Sequence, residues 1–321
     1  MKVAIWGATD FVGGAIARVI GATGYTLRLM GPPHTLSTNP PGRRVEQRIA
    51  PMADRHALER ALAGQDVLIY AEPYRPRTHM PRDTALHEGV DRIRTLLSAA
   101  RKAGVAHTIY LGSAITVGRP PSEGKRLTEL DLYMPGQRDD DPWFDVAYAM
   151  ECEVLAANSY TMHTSALMYT TPIGPGRALP APIMAMVQGR LPLIWDGRCN
   201  VIDVRALAGT AFQAIRLARA GQRYLLAGHS TSLRKLAEAV AQHTHRSLPR
   251  VVGHNADTPS LAQNLAVQVA PQWALEWMRL AACPGPFDTT KARAELQHKP
   301  RRLQESIRDM VASVDASDHC P

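Results

Sequence analysis

Short apolar runs of strand length alternate with longer helical patterns through the first half of this chain. Parallel strands must be joined by crossover connections, which helices usually supply. The alternation therefore predicts an α/β protein with a doubly wound parallel sheet. Strands are expected at Val3–Trp6, Leu27–Met30, Val67–Tyr70 and Thr108–Leu111, and helices at Ala15–Ile20, Leu58–Ala63, Val90–Ala103 and Phe144–Ala157.

The alternation of strand and helix patterns ends near Pro172, where prolines stand at positions 172, 175, 180 and 182. We place a domain boundary there. A strand at Val201–Val204 and a helix at Ala206–Ala218 are expected to return to the first domain. The predicted division is residues 1–171 with about 200–220, a smaller C-terminal substrate domain of residues 172–199 and 221–314, and a tail of residues 315–321.

Composition excludes several classes of protein. Apolar residues make up 45% of the 321 residues, yet no stretch approaches the roughly 20 apolar residues of a membrane-spanning helix. The N-terminus enters a strand pattern without a leader, and the four cysteines lack zinc-site spacing, so we expect a cytoplasmic protein with reduced thiols and no metal. The net charge of +8 comes from scattered arginines, which argues against nucleic-acid binding.

Three sequence motifs follow one another along the first half of the chain. A glycine-bearing turn at 7–14 comes first, then a strand ending at Gly112-Ser113, then Tyr148 on a helix. The chain resembles the extended short-chain dehydrogenase/reductases, which include sugar-nucleotide epimerases and dihydroflavonol reductases. The resemblance continues through Ile173–Gly176, Ile202–Val204, Tyr224–Leu226 and Phe287–Leu296. It implies a Rossmann-like fold, a nicotinamide dinucleotide and a small-molecule substrate.

The resemblance also implies a set of site residues. Ser113 and Tyr148 correspond to the catalytic serine and tyrosine, and Cys152 and Glu72 are the other candidate catalytic residues in the cleft. The positions expected to contact a cofactor are Gly7, Asp10, Phe11, Val12, Gly13, Arg28, Tyr70, Ala71 and Pro172.

The glycine turn departs from the family pattern at its middle position, where Asp10 stands between Gly7 and Gly13. A glycine there lets the backbone approach the diphosphate at the start of the helix. A carboxylate about 5 Å from a phosphate costs ~3 kcal/mol at an effective dielectric of about 20. Two interpretations stay open: Asp10 caps the helix and occupies the phosphate-binding amides, or it turns into solvent and leaves cofactor binding intact.

The active-site helix departs as well. Family members carry a lysine four residues after the catalytic tyrosine, where it holds the nicotinamide ribose and lowers the pKa of the phenol. None of the nine tyrosines here has lysine at that spacing, and Tyr148 is followed by Cys152. Without a cation, we expect Tyr148 to keep its proton at neutral pH and to be a poor base. Cys152 is either a reactive thiol or a small apolar filler.

Other family positions are altered too. The strand end Tyr70-Ala71-Glu72-Pro73 puts a second carboxylate in the cleft. Pro51 and Gly89 stand where an adenine-contacting Asp and a supporting Asn are usual. No acid follows the second strand to bind a ribose diol, whereas His34, Arg43 and Arg44 could meet a 2′-phosphate, so any nicotinamide cofactor is expected to be NADP(H).

These departures favour a non-redox enzyme in which Tyr148 and Ser113 polarise a carbonyl, with Glu72, Cys152 or His79 as base. Two alternatives remain: an NADP(H)-dependent reductase or epimerase, and a binding protein of the same fold without turnover. Met168, Tyr169, Met184, Met186 and Trp195 suggest an apolar or aromatic substrate. A homodimer is possible through the helices predicted at 90–103 and 144–157.

Overall fold

The fold is taken from a computed structural model of the chain. It describes residues 1–33, 42, 44–72, 74–77, 80–118, 124–136, 141–176, 179–191, 193–195, 197–252, 279 and 285–318, without the side chains of 195, 252 and 315–318.

Strands and helices alternate along the described chain. The strands are β1 (Lys2–Trp6), β2 (Thr26–Gly31), β3 (Val45–Ile49), β4 (Val67–Tyr70), β5 (His107–Ser113), β6 (His163–Tyr169), β7 (Thr171–Ile173), β8 (Leu193–Trp195), β9 (Arg198–Asp203), β10 (Gln222–Leu226), β11 (His229–Ser232) and β12 (Arg250–Val252). The helices are α1 (Phe11–Gly21), α2 (Arg55–Leu62), α3 (Arg82–Lys102), α4 (Trp143–Ala156), α5 (Ala181–Val187), α6 (Val204–Leu217), α7 (Leu233–Thr244), α8 (Thr290–Leu296) and α9 (Leu303–Asp318).

The central sheet is parallel throughout. Its seven strands, counted over the described residues, run in the order β10-β6-β5-β4-β1-β2-β3. The order reverses between β1 and β4, and ligands of such sheets bind outside the carboxyl ends of the strands at that point. The predicted doubly wound, Rossmann-like α/β fold is therefore confirmed.

Alternate residues of each strand enter the two opposite cores, as the pleat requires. Val3 and Ile5 face the layer that contains α1 and α6. Ala4 and Trp6 face the layer that contains α2, α3 and α4. Both faces of the sheet are covered at its centre, and this is why β4 is continuously apolar, whereas the edge strand β3 is polar and largely exposed.

The predicted helices and strands of the first half are present within a few residues. The clearest difference is α3, which begins at Arg82 rather than near Val90. Gly89 lies in this extension, where a Cβ would stand 2.6 Å from Val146 Cγ1 of α4. Glycine at this position therefore allows α3 and α4 to pack closely.

Two strands after residue 172 lie in different sheets from those expected. Residues 201–204 were expected to form a strand returning to the first domain, but β9 pairs with β7 and β11 in a separate sheet. Helix α6 does return and packs against α1 through the shared core. Residues 221–314 were assigned to the substrate domain, but β10 within that range is an edge strand of the central sheet beside β6. The rest of the predicted division stays a prediction.

Among the described helices, none is both long and apolar enough to cross a bilayer.

Candidate active site

The turn between β1 and α1 retains its close glycine packing. Gly7 has φ +90°, in the region that favours glycine, and a Cβ on it would stand 2.4 Å from Glu72 Cβ. A Cβ on Gly13 would stand 2.0 Å from the Gly7 carbonyl oxygen. The backbone of α1 therefore approaches β1 as closely as in a dinucleotide-binding turn.

Asp10 is the N-cap of α1. Its Oδ1 accepts a hydrogen bond of 2.8 Å from the Phe11 amide, the first amide of the helix. A phosphate seated at this helix end would need that amide and the positive end of the helix dipole. Of the two interpretations left open above, the structure agrees with capping.

A cavity of about 600 Å³ opens at the carboxyl ends of β1, β4 and β6. It is lined by Trp6, Asp10, Phe11, Val12, Tyr70, Glu72, Tyr74, Arg75, Arg77, Glu88, Arg92, Tyr169, Pro172, Leu179 and Pro180. Six predicted site residues are thus brought together here: Asp10, Phe11, Val12, Tyr70, Glu72 and Pro172. Gly7, Gly13 and Ala71 support the same edge, with the Ala71 amide donating to the Trp6 carbonyl.

Arg28 lies elsewhere. Its guanidinium forms an ion pair of 2.8 Å with Glu46 of β3 and donates to the carbonyls of Ala61 in α2 and of Ala63 just after it. It does not line the cavity. Arg28 therefore fastens α2 and β3 to β2, because its position within β2 turns the side chain toward α2 rather than toward the carboxyl edge.

Ser113 and Tyr148 lie in a second region, beside the cavity lining. Ser113 ends β5, and its Oγ accepts from the Ile115 amide at 3.4 Å as the cap of a 3₁₀ turn, Ala114–Val117. Tyr148 of α4 packs against the cluster that contains Ala114, Ile115 and Val117. The Tyr148 ring meets the Tyr133 ring edge-on, with centroids 6.1 Å apart. Ser113 thus directly precedes the first residue of the cluster against which Tyr148 packs.

The Tyr148 phenol holds its proton firmly. Burial is the main cause that raises its pKa, and the adjacent Cys152 thiol, which shares a hydrogen bond with the phenol, raises it further. The pKa of Cys152 is also raised, chiefly by burial. Both groups are therefore protonated at neutral pH, so Cys152 is not a ready thiolate nucleophile or base.

A buried ion pair lies beneath Tyr148. Arg223 Nε of β10 stands 2.6 Å from Glu151 Oε1 of α4, and these side chains are 11% and 3% exposed. Arg223 also donates to the carbonyls of Glu129, Asp131 and Thr116. Its charge lowers the pKa of Tyr148, but the effect is outweighed because burial and Cys152 act in the opposite direction. Arg223 is thus paired and does not replace the family's lysine.

Several predicted positions lie outside the described residues: His34, Arg43, Pro73 and His79. Of the predicted substrate-lining residues, Tyr169 lines the cavity, whereas Met168 is fully buried in the core. Across the described chain, no group of three His, Cys, Asp or Glu side chains could hold a metal ion.

Sequence reasoning missed the arginines of the cavity. Arg75 and Arg77 follow β4, and Arg92 lies on α3. The close spacing of Arg75 and Arg77 is visible in the sequence, but we interpreted these residues as part of a scattered surface charge. Glu151 and Arg223 were missed because two residues so far apart in sequence show no pattern.

The chain belongs to the NAD dependent epimerase/dehydratase family, whose model matches residues 3–227. This family is one of enzymes, and the extended short-chain dehydrogenase/reductase resemblance is confirmed. A Synechocystis sp. protein with the provisional name dihydroflavonol 4-reductase is 24% identical over 324 residues, covering 96% of this chain and 92% of that protein. Sterol demethylase protein B of Methylococcus capsulatus is 21% identical over 328 residues, covering 97% and 98%. A solved nucleoside-diphosphate-sugar epimerase from Pseudomonas aeruginosa has TM-score 0.78 at 22% identity, covering 99% and 98%, which shows the shared fold.

The family name implies a nicotinamide dinucleotide, and the residues fit one only in part. The packing of Gly7 and Gly13 suits it. Asp10, however, takes the Phe11 amide, and Glu72 adds a second carboxylate at the same turn. The turn does not fit a diphosphate placed against the start of α1, because two anionic side chains stand where donors are needed.

Proposed function

We propose that this protein is an enzyme that polarises the carbonyl of a small, apolar or aromatic metabolite for non-redox chemistry. Tyr148 is the hydrogen-bond donor and Ser113 the second donor. The observation that supports this most directly is the raised pKa of Tyr148, since a phenol that keeps its proton donates well but accepts a proton poorly.

The chemistry rests on negative charge that develops on the substrate oxygen. Tyr148 Oη and Ser113 Oγ donate to that oxygen, and each such donor contributes about 2.7–4 kcal/mol when water is excluded. Isomerisation through an enol, elimination, aldol-type cleavage and cyclisation all pass through this charge. Tyr148 Oη keeps its proton and stabilises this charge through a hydrogen bond.

Glu72 is the proposed base. Among the candidates, Cys152 remains a thiol because burial raises its pKa, and His79 lies outside the described residues. Glu72 lines the cavity as a carboxylate-bearing side chain. Glu72→Gln tests this role in the same deuterium-exchange assay as Tyr148→Phe.

An NADP(H)-dependent reductase or epimerase is the second candidate. The glycine packing of the turn favours it, because Gly7 and Gly13 are needed wherever α1 closely follows β1 in a dinucleotide site. The name of the Synechocystis relative points the same way. Asp10 and Cys152 are the observations against it.

Tyr148→Phe is expected to lower non-redox turnover by about 10²–10³-fold, because one donor to the developing oxyanion is lost. The assay uses a panel of apolar and aromatic ketones and aldehydes without added nicotinamide. NMR measures the rate of deuterium exchange at the carbons next to the carbonyl. Since the pKa of Tyr148 is raised, the rate should not fall as pH rises until above about 10, the ordinary value for tyrosine.

Tyr160→Phe is the matched control, because Tyr160 is 100% exposed. Equal rates for Tyr148→Phe and the unmodified protein would contradict the proposal. If the ketones and aldehydes of the panel react only when NADPH is added, the NADP(H)-dependent reductase or epimerase would be the correct function.

A cytoplasmic location, a homodimer through α3 and α4 and the remaining domain boundaries are proposed on the sequence alone.

A further inference from the structure

The charges that line the cavity are balanced. Among its described lining residues, three carry carboxylates, Asp10, Glu72 and Glu88, and three carry guanidinium groups, Arg75, Arg77 and Arg92. A dinucleotide brings at least two phosphate charges and requires an excess of donors or positive charge. A balanced lining is complementary to a ligand that itself carries both signs.

Two of the three carboxylate residues, Asp10 and Glu72, lie at the turn between β1 and α1, whereas Glu88 lies beside Tyr74. Asp10 is fixed at the turn by its hydrogen bond to the Phe11 amide. Glu72 lies against the same turn, since its Cβ is the atom closest to a Cβ built on Gly7. Asp10 and Glu72 therefore both line the cavity beside the same turn, and together they are here called the acidic wall.

Two arginines gather around Tyr74 at another wall. The Arg92 guanidinium stands 4.8 Å from the centre of the Tyr74 ring, and the Tyr74 hydroxyl donates to Glu88 Oε2 at 2.6 Å. Arg77 and Arg92 both act on the Tyr74 phenol, and they oppose the burial that raises its pKa to about 12. Among the described residues, neither arginine forms an ion pair with a carboxylate. We call Arg77 and Arg92 the arginine wall.

Tyr169 lines the same cavity and is close enough to charges of both signs to respond to them. Burial raises its pKa to about 12, while Arg75 lowers the pKa and Asp10 raises it. A guanidinium and a carboxylate therefore act on the same phenol within one cavity. The lining also includes apolar side chains, among them Phe11, Val12 and Leu179.

We propose that this cavity binds a small ampholyte, a ligand with a phosphate or carboxylate on the arginine wall and an ammonium group on the acidic wall, joined by a short apolar segment. Arg77 and Arg92 bind the anion through side chains, in place of the helix amides that Asp10 has taken. Opposite charges at the two ends fix the direction in which the ligand lies. Tyr148 and Ser113 do not line this cavity, whereas Glu72 does, so Glu72 is the residue that this inference shares with the proposed function.

The test compares two series of probes by calorimetric titration at low salt: ω-aminoalkyl phosphates from ethyl to hexyl, and the alkyl phosphates of the same lengths. The best aminoalkyl phosphate should bind at least about tenfold more tightly than its alkyl counterpart, because it adds one partly desolvated ion pair. Arg92→Gln should weaken both series by about the same factor. Asp10→Asn should reduce the preference for the amine, the double variant Asp10→Asn with Glu72→Gln should remove it, and both should leave the alkyl phosphates bound as before.

Arg94→Gln is the control, since Arg94 lies on α3 but pairs with Glu153 on the surface. Equal affinity for the two series would overturn the proposal, as would affinities that Arg92→Gln does not change, or no binding of either series. The result is independent of the exchange assay on Tyr148, so failure here is distinguishable from failure of the proposed function.

Discussion

Asp10→Gly is expected to raise the affinity for NADPH by at least about tenfold over the unmodified protein. The substitution removes an anion from the diphosphate position and releases the Phe11 amide, which Asp10 now occupies at 2.8 Å. Helix stability should change by only a few tenths of a kcal/mol, roughly the difference between a good N-cap and glycine. The measurement is a fluorescence titration with NADPH, beside a thermal melt.

Asp54→Gly is the matched control for that experiment. Asp54 is the N-cap of α2 and accepts from the Ala57 amide at 2.8 Å, but it does not line the cavity. It should leave NADPH affinity unchanged. If Asp10→Gly also left the affinity unchanged, Asp10 would not be what opposes the diphosphate.

Arg223→Leu is expected to lower the free energy of unfolding by about 3–5 kcal/mol. The substitution leaves the Glu151 carboxylate buried, at 3% exposure, without its cation, and it removes donors from three backbone carbonyls. Denaturant unfolding measures the loss. The double variant Arg223→Leu with Glu151→Leu should lose less than the two single variants combined, because no charge is then left buried alone.

The surface pair Arg94–Glu153 provides the comparison. Its closest atoms are also 2.6 Å apart, but its side chains are 62% and 27% exposed. Breaking it with Arg94→Leu should cost about 0–1 kcal/mol. A loss for Arg223→Leu no larger than this would mean that Glu151 stays solvated or protonated without penalty.

Four strands of the central sheet, β1, β2, β4 and β5, were predictable because they are mostly buried and read as apolar runs between helical patterns. β3, β6 and β10 were not predicted, and β3 in particular is polar and largely exposed. The same pattern could not assign strands to sheets. β9 reads as one more strand followed by a helix, yet it pairs with β7 and β11. β10 follows the predicted boundary in sequence and still completes the central sheet beside β6. Strand pairing over such separations depends on tertiary packing that local patterns do not encode.

The candidate site divides in the same way. Asp10 was identified because its spacing from Gly7 and Gly13 defines its place at the start of α1. Arg28 was expected to contact a cofactor, but it lies in the middle of β2 rather than at the carboxyl end. Its side chain points to the face of the sheet that α2 covers. The arginine wall was missed because Arg77 follows β4 and Arg92 lies on α3, and only the fold brings both to Tyr74.

Asp10 occupies the start of α1, and we propose that its carboxylate excludes a dinucleotide from the usual position there. Calorimetric titration of the unmodified protein with NADPH and with NAD⁺ tests this most directly. No saturable binding is expected below about 1 mM, a standard free energy weaker than roughly −4 kcal/mol. Binding at micromolar concentration, with consumption of reduced nicotinamide in the presence of a carbonyl substrate, would contradict it.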